Sequence, residues 1–170
     1  LDPELWETCG RNPVKLLDAL PQQVLDNHAR DAAYRRRLAR VLSELEEYLQ
    51  ERRDVTAHPE VAFLCMEYGL HQSLPFYSGG LGVLAGDHLK AASDLNVPLV
   101  AVGLAYRSGY FRQVIDSQGN QVEEPLPHDF SAMPMEPVER KGKPLTVFVH
   151  LPGGGVALRL WRIRVGAVCL

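Results

Sequence analysis

The sequence predicts an α/β fold: a helical leader, one strand–helix–strand unit behind a glycine-rich loop, and antiparallel strands towards the end. Three observations predict it. Up to about residue 52, apolar residues recur at three- and four-residue spacing, as on an amphipathic helix. Two short apolar runs, Val61–Met66 and Val97–Tyr106, have the composition of strands buried on both faces. A helix-compatible stretch lies between them, and strand, helix, strand in that order favours a parallel crossover.

Taken in order, Asn12-Pro13 is a helix start, an N-cap side chain followed by proline at the first helical position. A second short helix begins near Pro21. The strongest helix runs from Ala32 to Arg52, with Tyr34, Leu38, Val41, Leu42, Leu45, Tyr48 and Leu49 on one stripe, which is expected to be packing surface. Arg35-Arg36-Arg37, followed by Glu44, Glu46 and Glu47, reads as a solvated helix face rather than a phosphate patch. Thr56 to Pro59 breaks the pattern, which divides the chain into a leader, 1–57, and an α/β part, 58–170. Val83 to Leu95 suits a helix, with Leu84, Leu89, Ala92 and Leu95 near one side and Lys90 and Asp94 spaced to pair. Beyond Gly109, Tyr110–Ile115 and Gln121–Glu123 flank a hairpin turn at Asp116–Asn120. Residues 125–144 carry prolines at 125, 127, 134, 137 and 144 and are expected to be irregular. Leu145–His150 and Val156–Val165 alternate as strands do, joined by the turn Pro152-Gly-Gly-Gly.

Composition narrows the function. The 170 residues are 46% hydrophobic and 23% charged with a net charge of −3, as in a globular domain with a real core. So balanced a charge gives no electrostatic reason to expect nucleic acid or an anionic membrane as partner. The widely spaced cysteines 9, 65 and 169 suit reduced thiols in a cytoplasmic protein better than a disulfide framework. No apolar run approaches the roughly 18 residues of a membrane span, and residues 1–10 are too acidic and polar for a signal peptide. The start on Leu1 and the apolar close GAVCL read as the ends of a piece cut from something longer. The histidines at 28, 58, 71, 88, 128 and 150 lack the H-x-x-x-H spacing of a metal site, and the cysteines lack C-x-x-C, so no metal is expected.

The chemistry concentrates in Tyr77-Ser78-Gly79-Gly80-Leu81-Gly82-Val83-Leu84-Ala85-Gly86-Asp87-His88. Glycines at a helix start let a ligand approach the backbone and aim free N–H groups at it, and the helix dipole adds affinity for an anion. A tight turn that needs glycine only for its dihedral angles explains the glycines equally well. Gly80-x-Gly82-x-x-Ala85 formally meets the dinucleotide pattern, but the preceding strand ends some dozen residues earlier and the next one ends at Tyr106-Arg107 without an acid. No Lys-Ser or Lys-Thr closes the loop as a nucleotide-triphosphate site requires. What remains is a loop suited to a phosphate or sugar phosphate without a charged side chain. His71 and His88 flank it, and a place on the helix surface or behind the loop is expected for them ahead of contact with a sugar hydroxyl. Asp87 is placed to work with His88 or to stabilise the first turn. Ser78 lacks the context of a nucleophile and is a loop residue, and Tyr110, Phe111 and Arg112 shape the cleft or the hairpin.

From VAFLCMEYGLHQSLPFYSGGLGVLAGDHLKAASDLNVPLVAVGLAYRSGYFRQVID, the chain resembles the N-terminal domain of bacterial α-glucan (glycogen or maltodextrin) phosphorylases, in particular their shorter, non-mammalian-type branch. LDPELWETCGRNPVKLL, HDFSAMPMEPV and LRLWRIRVG extend the resemblance to nearly the whole chain. It implies a partial N-terminal Rossmann-like domain of a GT-B glycosyltransferase, which acts on an α-glucan and phosphate to release glucose 1-phosphate. It also implies pyridoxal phosphate as cofactor and allows a homo-oligomer. Gly79, Gly80, Leu81 and Gly82 would present N–H groups to substrate phosphate and sugar, with Glu67, Asp87 and His88 as possible supports behind them. Glu67 reads as orienting the loop or, equally, as a plain structural carboxylate. No catalytic side chain is assigned, and none of the lysines at 15, 90, 141 and 143 matches the cofactor-attachment motif, so the isolated chain is expected to be inactive. Two departures stand out: Gly69 where mammalian-type members carry a tyrosine near the cofactor, and Asn120 where an aromatic residue is common. A starch- or glycogen-synthase-like transferase is a rival reading, although those enzymes carry a lysine just before the loop, where this chain has Pro75-Phe76-Tyr77-Ser78. An inert or glucan-binding truncated module is another.

Overall fold

The computed structural model describes residues 1–52 and 58–170 and is a mixed α/β structure. The boundary expected between 57 and 58, and the start of the expected break at Thr56, lie outside the described residues. Four helices come first. Helix α1, Pro3–Thr8, is capped by Asp2, whose carboxylate accepts the Leu5 N–H at 2.9 Å. Helix α2, Pro13–Ala19, starts at the predicted Asn12-Pro13, and Asn12 Oδ1 accepts from Val14 and Lys15. Helix α3, Gln22–Arg30, follows Pro21, and α4, Ala32–Gln50, is capped by Asp31, which accepts from Ala33 and Tyr34.

The strand–helix–strand unit forms, but its strands are shorter than expected and the first is not buried on both faces: Val61 is 46% and Leu64 70% exposed, and on the helix Leu84 and Leu95 are exposed while Leu89 and Ala92 are buried. Strand β1, Val61–Leu64, and β2, Leu99–Val102, pair in parallel, and helix α5, Gly80–Asp94, connects them. Helix α5 begins three residues earlier than the spacing of its apolar side chains suggested, because the glycines themselves form its first turn. The apolar close of the chain is also part of this sheet. Strand β12, Val168–Cys169, runs parallel beside β2, and Val168 is 1% exposed. Strand β11, Arg164–Val165, turns back against β12, so the sheet order is β1-β2-β12-β11. Tyr68, Ala85, Leu89, Ala92, Leu99, Ala101 and Val168 form the core between α5 and this sheet. Leu89 is fully buried, and truncating such a leucine costs about 2–5 kcal/mol.

The remaining strands make small antiparallel pairs. Phe111–Ile115 (β3) and Gln121–Pro125 (β4) form the predicted hairpin, in register from Phe111 opposite Pro125 to Ile115 opposite Gln121. The proline-rich stretch is less irregular than expected. It holds a single 3-10 turn, Phe130–Ala132, and three two-residue strands: Glu136–Pro137 (β5), Glu139–Arg140 (β6) and Lys143–Pro144 (β7). Strands β8, Thr146–Leu151, and β9, Gly154–Arg159, form the last predicted hairpin. The predicted strand from Val156 to Val165 is divided, since Trp161–Arg162 (β10) leaves β8 to pair with β5 before β11 begins. A second apolar cluster, Leu74, Phe76, Met133 and Ile163, lies under this region, and the Phe130 ring meets Phe76 and Trp161 edge-on.

Two side-chain clusters fasten the leader to the rest. Asn12, 5% exposed, donates through Nδ2 to the Ala132 carbonyl at 2.7 Å. At the far end of α4, the Tyr48 hydroxyl lies 2.5 Å from Ser93 Oγ and donates to Asp94 at 2.8 Å. Arg52 lies over the Tyr48 ring and donates to the carbonyls of Ser93 and Asp94. Asp94 is therefore engaged by Tyr48, and the pairing with Lys90 expected from spacing is replaced by Lys90–Asp87 at 3.8 Å. The α4 stripe departs further from expectation: Leu38, Val41, Leu42 and Leu45 are 46–50% exposed and Leu49 is 37% exposed.

Candidate functional site

The glycine segment divides into two kinds of position. Gly82 and Gly86 are buried, and each is required by packing. A Cβ at Gly82 would stand 2.5 Å from the Tyr77 Cβ and 3.0 Å from Glu67 Oε2; one at Gly86 would collide with the Gly69 carbonyl. Gly69 belongs to the same contact: its N–H donates to the Gly82 carbonyl at 2.7 Å, and a Cβ there would lie 3.1 Å from Gly82 and Val83 backbone atoms. A side chain at 69 would require these neighbours to give by a few tenths of an ångström.

Gly79 and Gly80 are different. Both are exposed, and a Cβ at either would meet nothing within 4 Å. Gly79 has φ 172°, an extended conformation open to any residue, and Gly80 is helical, so neither is a glycine for the sake of a left-handed turn. The dihedral explanation of these two glycines therefore fails. The first helical bond of α5 runs from the Val83 N–H to the Gly79 carbonyl at 3.2 Å, and the cap has no side-chain hydrogen bond. That leaves the N–H groups of Gly80, Leu81 and Gly82 without intrahelical acceptors, at the positive end of the helix dipole.

Glu67 contacts the loop through its carboxylate. It follows β1, is half-buried, and accepts the Ser78 N–H through Oε2 at 2.7 Å, which fixes the residue just before the glycines. Ser78 and Tyr77 are the loop-positioning residues the sequence reading passed over. One is held by its backbone and the other by its ring against Gly82 and Gly69, and neither feature leaves a motif. Beside them opens a depression of about 250 Å³ walled by Glu67, Tyr77, Ser78, Tyr106 and Tyr110. The Tyr106 hydroxyl donates to the Met66 carbonyl at 3.0 Å, and His128 Nδ1 lies 2.8 Å from the Tyr106 carbonyl. Beneath the loop, Tyr68 is 3% exposed and bonds the carbonyls of Phe63 and Val102, tying β1 to β2. Burial, with a smaller contribution from Cys65, pushes its hydroxyl up to about 12.

The other candidates stand apart from the loop's donors. Asp87 is exposed and pairs with Lys90, while the His88 ring packs edge-on against Phe63, with centroids 4.9 Å apart. His71 is engaged by Ser73, at 2.9 Å from its Oγ and 3.2 Å from its N–H. Phe111 and Arg112 belong to the β3–β4 hairpin, where Arg112 pairs with Glu124. The four lysines lie elsewhere than the loop: Lys15 in α2, Lys90 in α5, and Lys141 and Lys143 on the β6–β7 hairpin. These residues do not fit covalent attachment of pyridoxal phosphate. Among the described residues, no group of three or more His, Cys, Asp or Glu is placed to hold a metal ion. No described helix is long and apolar enough to cross a membrane.

A mixed α/β unit with a glycine-rich, uncapped helix start defines a broad class, and comparison with known proteins narrows it. The chain is 41% identical to the maltodextrin phosphorylase of Thermococcus litoralis and 43% identical to the glycogen phosphorylase of Mycobacterium tuberculosis, in each case over 100% of this chain and 21% of that protein. It is 35% identical to the glycogen phosphorylase of Aquifex aeolicus over 98% of this chain and 24% of that protein. Residues 1–74 also match a family described as a protein of unknown function (DUF3417). Along its whole length the chain is thus similar to maltodextrin and glycogen phosphorylases, and it spans about a fifth of the length of the curated relatives it matches.

Proposed function

We propose that this chain is the part of a cytoplasmic α-1,4-glucan phosphorylase that supplies the backbone half of its phosphate site. In this reading, 1–57 is a helical leader, and 58–170 is an incomplete N-terminal Rossmann-like domain of a GT-B glycosyltransferase. The observation that carries it is the contrast within the glycine segment. Gly79 and Gly80 are glycines where neither packing nor dihedral angle asks for one, at a helix start with free N–H groups. A ligand that must touch the backbone is the remaining physical reason, and phosphate suits both the donors and the dipole. Preorganised donors of this kind are a strong catalytic contribution when charge develops on the transferred group.

The chain's own part is to bind and orient. The N–H groups of Gly80, Leu81 and Gly82 hold the phosphate, Glu67 fixes the loop through Ser78, and the walls of the depression receive the sugar. Pyridoxal phosphate, when bound to the full-length enzyme, supplies a phosphate that exchanges a proton with the substrate phosphate. Its attachment lysine is not among the four in this chain. The test is phosphorolysis by the full-length protein: maltodextrin and orthophosphate should yield glucose 1-phosphate, and removing the cofactor should abolish the product. Product formation that survives cofactor removal would sink the assignment.

A further inference from the structure

His128 belongs to no motif, yet it grips the wall of the depression beside the glycine loop. Its backbone N–H donates to the Arg107 carbonyl at 2.7 Å, and its ring Nδ1 lies 2.8 Å from the Tyr106 carbonyl. A carbonyl only accepts, so Nδ1 carries the proton and donates it. The ring also packs edge-on against Phe76, with centroids 5.8 Å apart, and its Cε1 lies 3.4 Å from where a Cβ on Gly109 would stand. The turn between β2 and β3 is thus held at Tyr106, Arg107 and Gly109 by one residue from the segment after β4.

From this turn a line of hydrogen bonds leads to the glycine loop. The Tyr106 hydroxyl donates to the Met66 carbonyl at 3.0 Å. Glu67, the next residue, accepts the Ser78 N–H at 2.7 Å, and Ser78 precedes Gly79, the cap of α5. Met66, Glu67, Tyr106 and Gly109 line the depression, and His128 stands behind them. The segment that carries His128 is itself fixed from its far side. The Asp129 carboxylate accepts from the Ser131 N–H and hydroxyl, and buried Asn12 of the leader donates to the Ala132 carbonyl. A side chain locked on both sides is what holds a site to the fraction of an ångström that catalysis requires.

On the phosphorylase reading above, we propose that His128 is a positioning residue for the phosphate loop. Its Nδ1 proton fixes Tyr106, and Tyr106 in turn fixes Met66, Glu67 and Ser78. The donor matters here more than the ring, and two substitutions separate them. His128→Phe keeps a ring against Phe76 and has no donor. His128→Asn gives up the ring and keeps the donor, because its Nδ2 stands as many bonds from the backbone as Nδ1 does.

The experiment compares the two variants with wild type in the full-length protein. His128→Phe should lower kcat for phosphorolysis of maltodextrin by about tenfold or more while KM for maltodextrin moves little, because the loop's donors are displaced from the transferred phosphate and not removed. His128→Asn should recover most of that kcat. Stability alone would rank the pair otherwise, since only phenylalanine preserves the packing on Phe76. The second readout is hydrogen–deuterium exchange at the Ser78 amide, which should be about threefold or more faster in His128→Phe and close to wild type in His128→Asn. Wild-type kcat in His128→Phe, or an asparagine variant as slow as the phenylalanine one, overturns the proposal. A wild type that makes no glucose 1-phosphate sinks the phosphorylase reading instead. The exchange comparison then decides for His128 by itself, and equal exchange at Ser78 in all three proteins overturns its role.

Discussion

The two ends of helix α5 are built on opposite plans. At the C-terminal end every group is engaged. Ser93, 2% exposed, meets the Tyr48 hydroxyl and accepts the Ala167 N–H at 2.9 Å, Arg52 takes up two carbonyls, and Asp94 accepts from Tyr48. Gly166, at φ +59°, passes so close that a Cβ would collide with Ser93. At the N-terminal end the cap is a bare glycine, and the next two residues are exposed with N–H groups that have no intrahelical acceptor. One end holds the helix still and the other carries no side-chain cap. The lesson is that glycine marks both plans, and only the surroundings of each glycine tell them apart.

The largest effect expected from breaking this contrast is on turnover. Gly80→Pro removes one N–H at the first helical position, where proline is well tolerated, and its Cβ would meet nothing within 4 Å. In the full-length enzyme it should lower kcat/KM for phosphorolysis by about 10²–10³, the usual cost of one such donor, with an unchanged melting temperature. Unchanged turnover would return the glycines to a structural role. The opposite end should respond the other way. Ser93→Ala strips a partner from the Ala167 N–H and from Tyr48, and should cost about 1–3 kcal/mol of stability in thermal melts while kcat/KM moves little.

How much of this was legible in the sequence follows from the same distinction. The start of α2, the hairpins and the parallel pair β1–β2 were legible because each is signalled locally, by Asn12-Pro13, by turns such as Asp116–Asn120, or by two apolar runs around a helix; the caps Asp2 and Asp31 were not read. The strand β12 was not, because Val168–Cys169 is too short to show a period and is defined by its neighbour β2. The Lys90–Asp94 spacing misled because Tyr48, from a helix 45 residues earlier, captures the end of α5. That Glu67 lies beside the glycine segment was legible. The division of the glycines into packing and open positions was not, since it depends on Gly69 and Tyr77 arriving from outside the motif.

A smaller effect sharpens the comparison from beneath the loop. Tyr68 keeps its proton to about 12 because burial disfavours the phenolate, and the folded form is therefore favoured by protonation. Its contribution is full below the unfolded value of about 10 and is lost as pH rises from there through 12. Wild type should lose stability over that alkaline range, and Tyr68→Phe should flatten the loss at the cost of the hydrogen bonds to Phe63 and Val102. Melting temperatures of the two proteins between pH 9 and about 12 give the check; parallel curves would mean Tyr68 ionises without consequence.

The smallest effect concerns a second place where N–H groups gather, the β3–β4 turn. There the chain supplies its own anion: the Asp116 carboxylate accepts from Gln118 at 2.9 Å and from Asn120 at 2.8 Å. The Asn120 N–H, chiefly, holds Asp116 below the usual aspartate range. A depressed value in the folded state means the turn is fully supported above the unfolded value of about 3.9 and loses that support as pH falls through the lower, folded one. Amide exchange at Gln118 and Asn120 should therefore quicken in acid, and in Asp116→Asn, which keeps an acceptor without the charge, it should lose this pH dependence. The glycine loop, with donors and no carboxylate of its own, should instead respond to added orthophosphate through slower exchange at Gly80 and Leu81. If phosphate slows exchange at the Asp116 turn as much as at the loop, the difference between a turn that carries its anion and a loop that awaits one disappears.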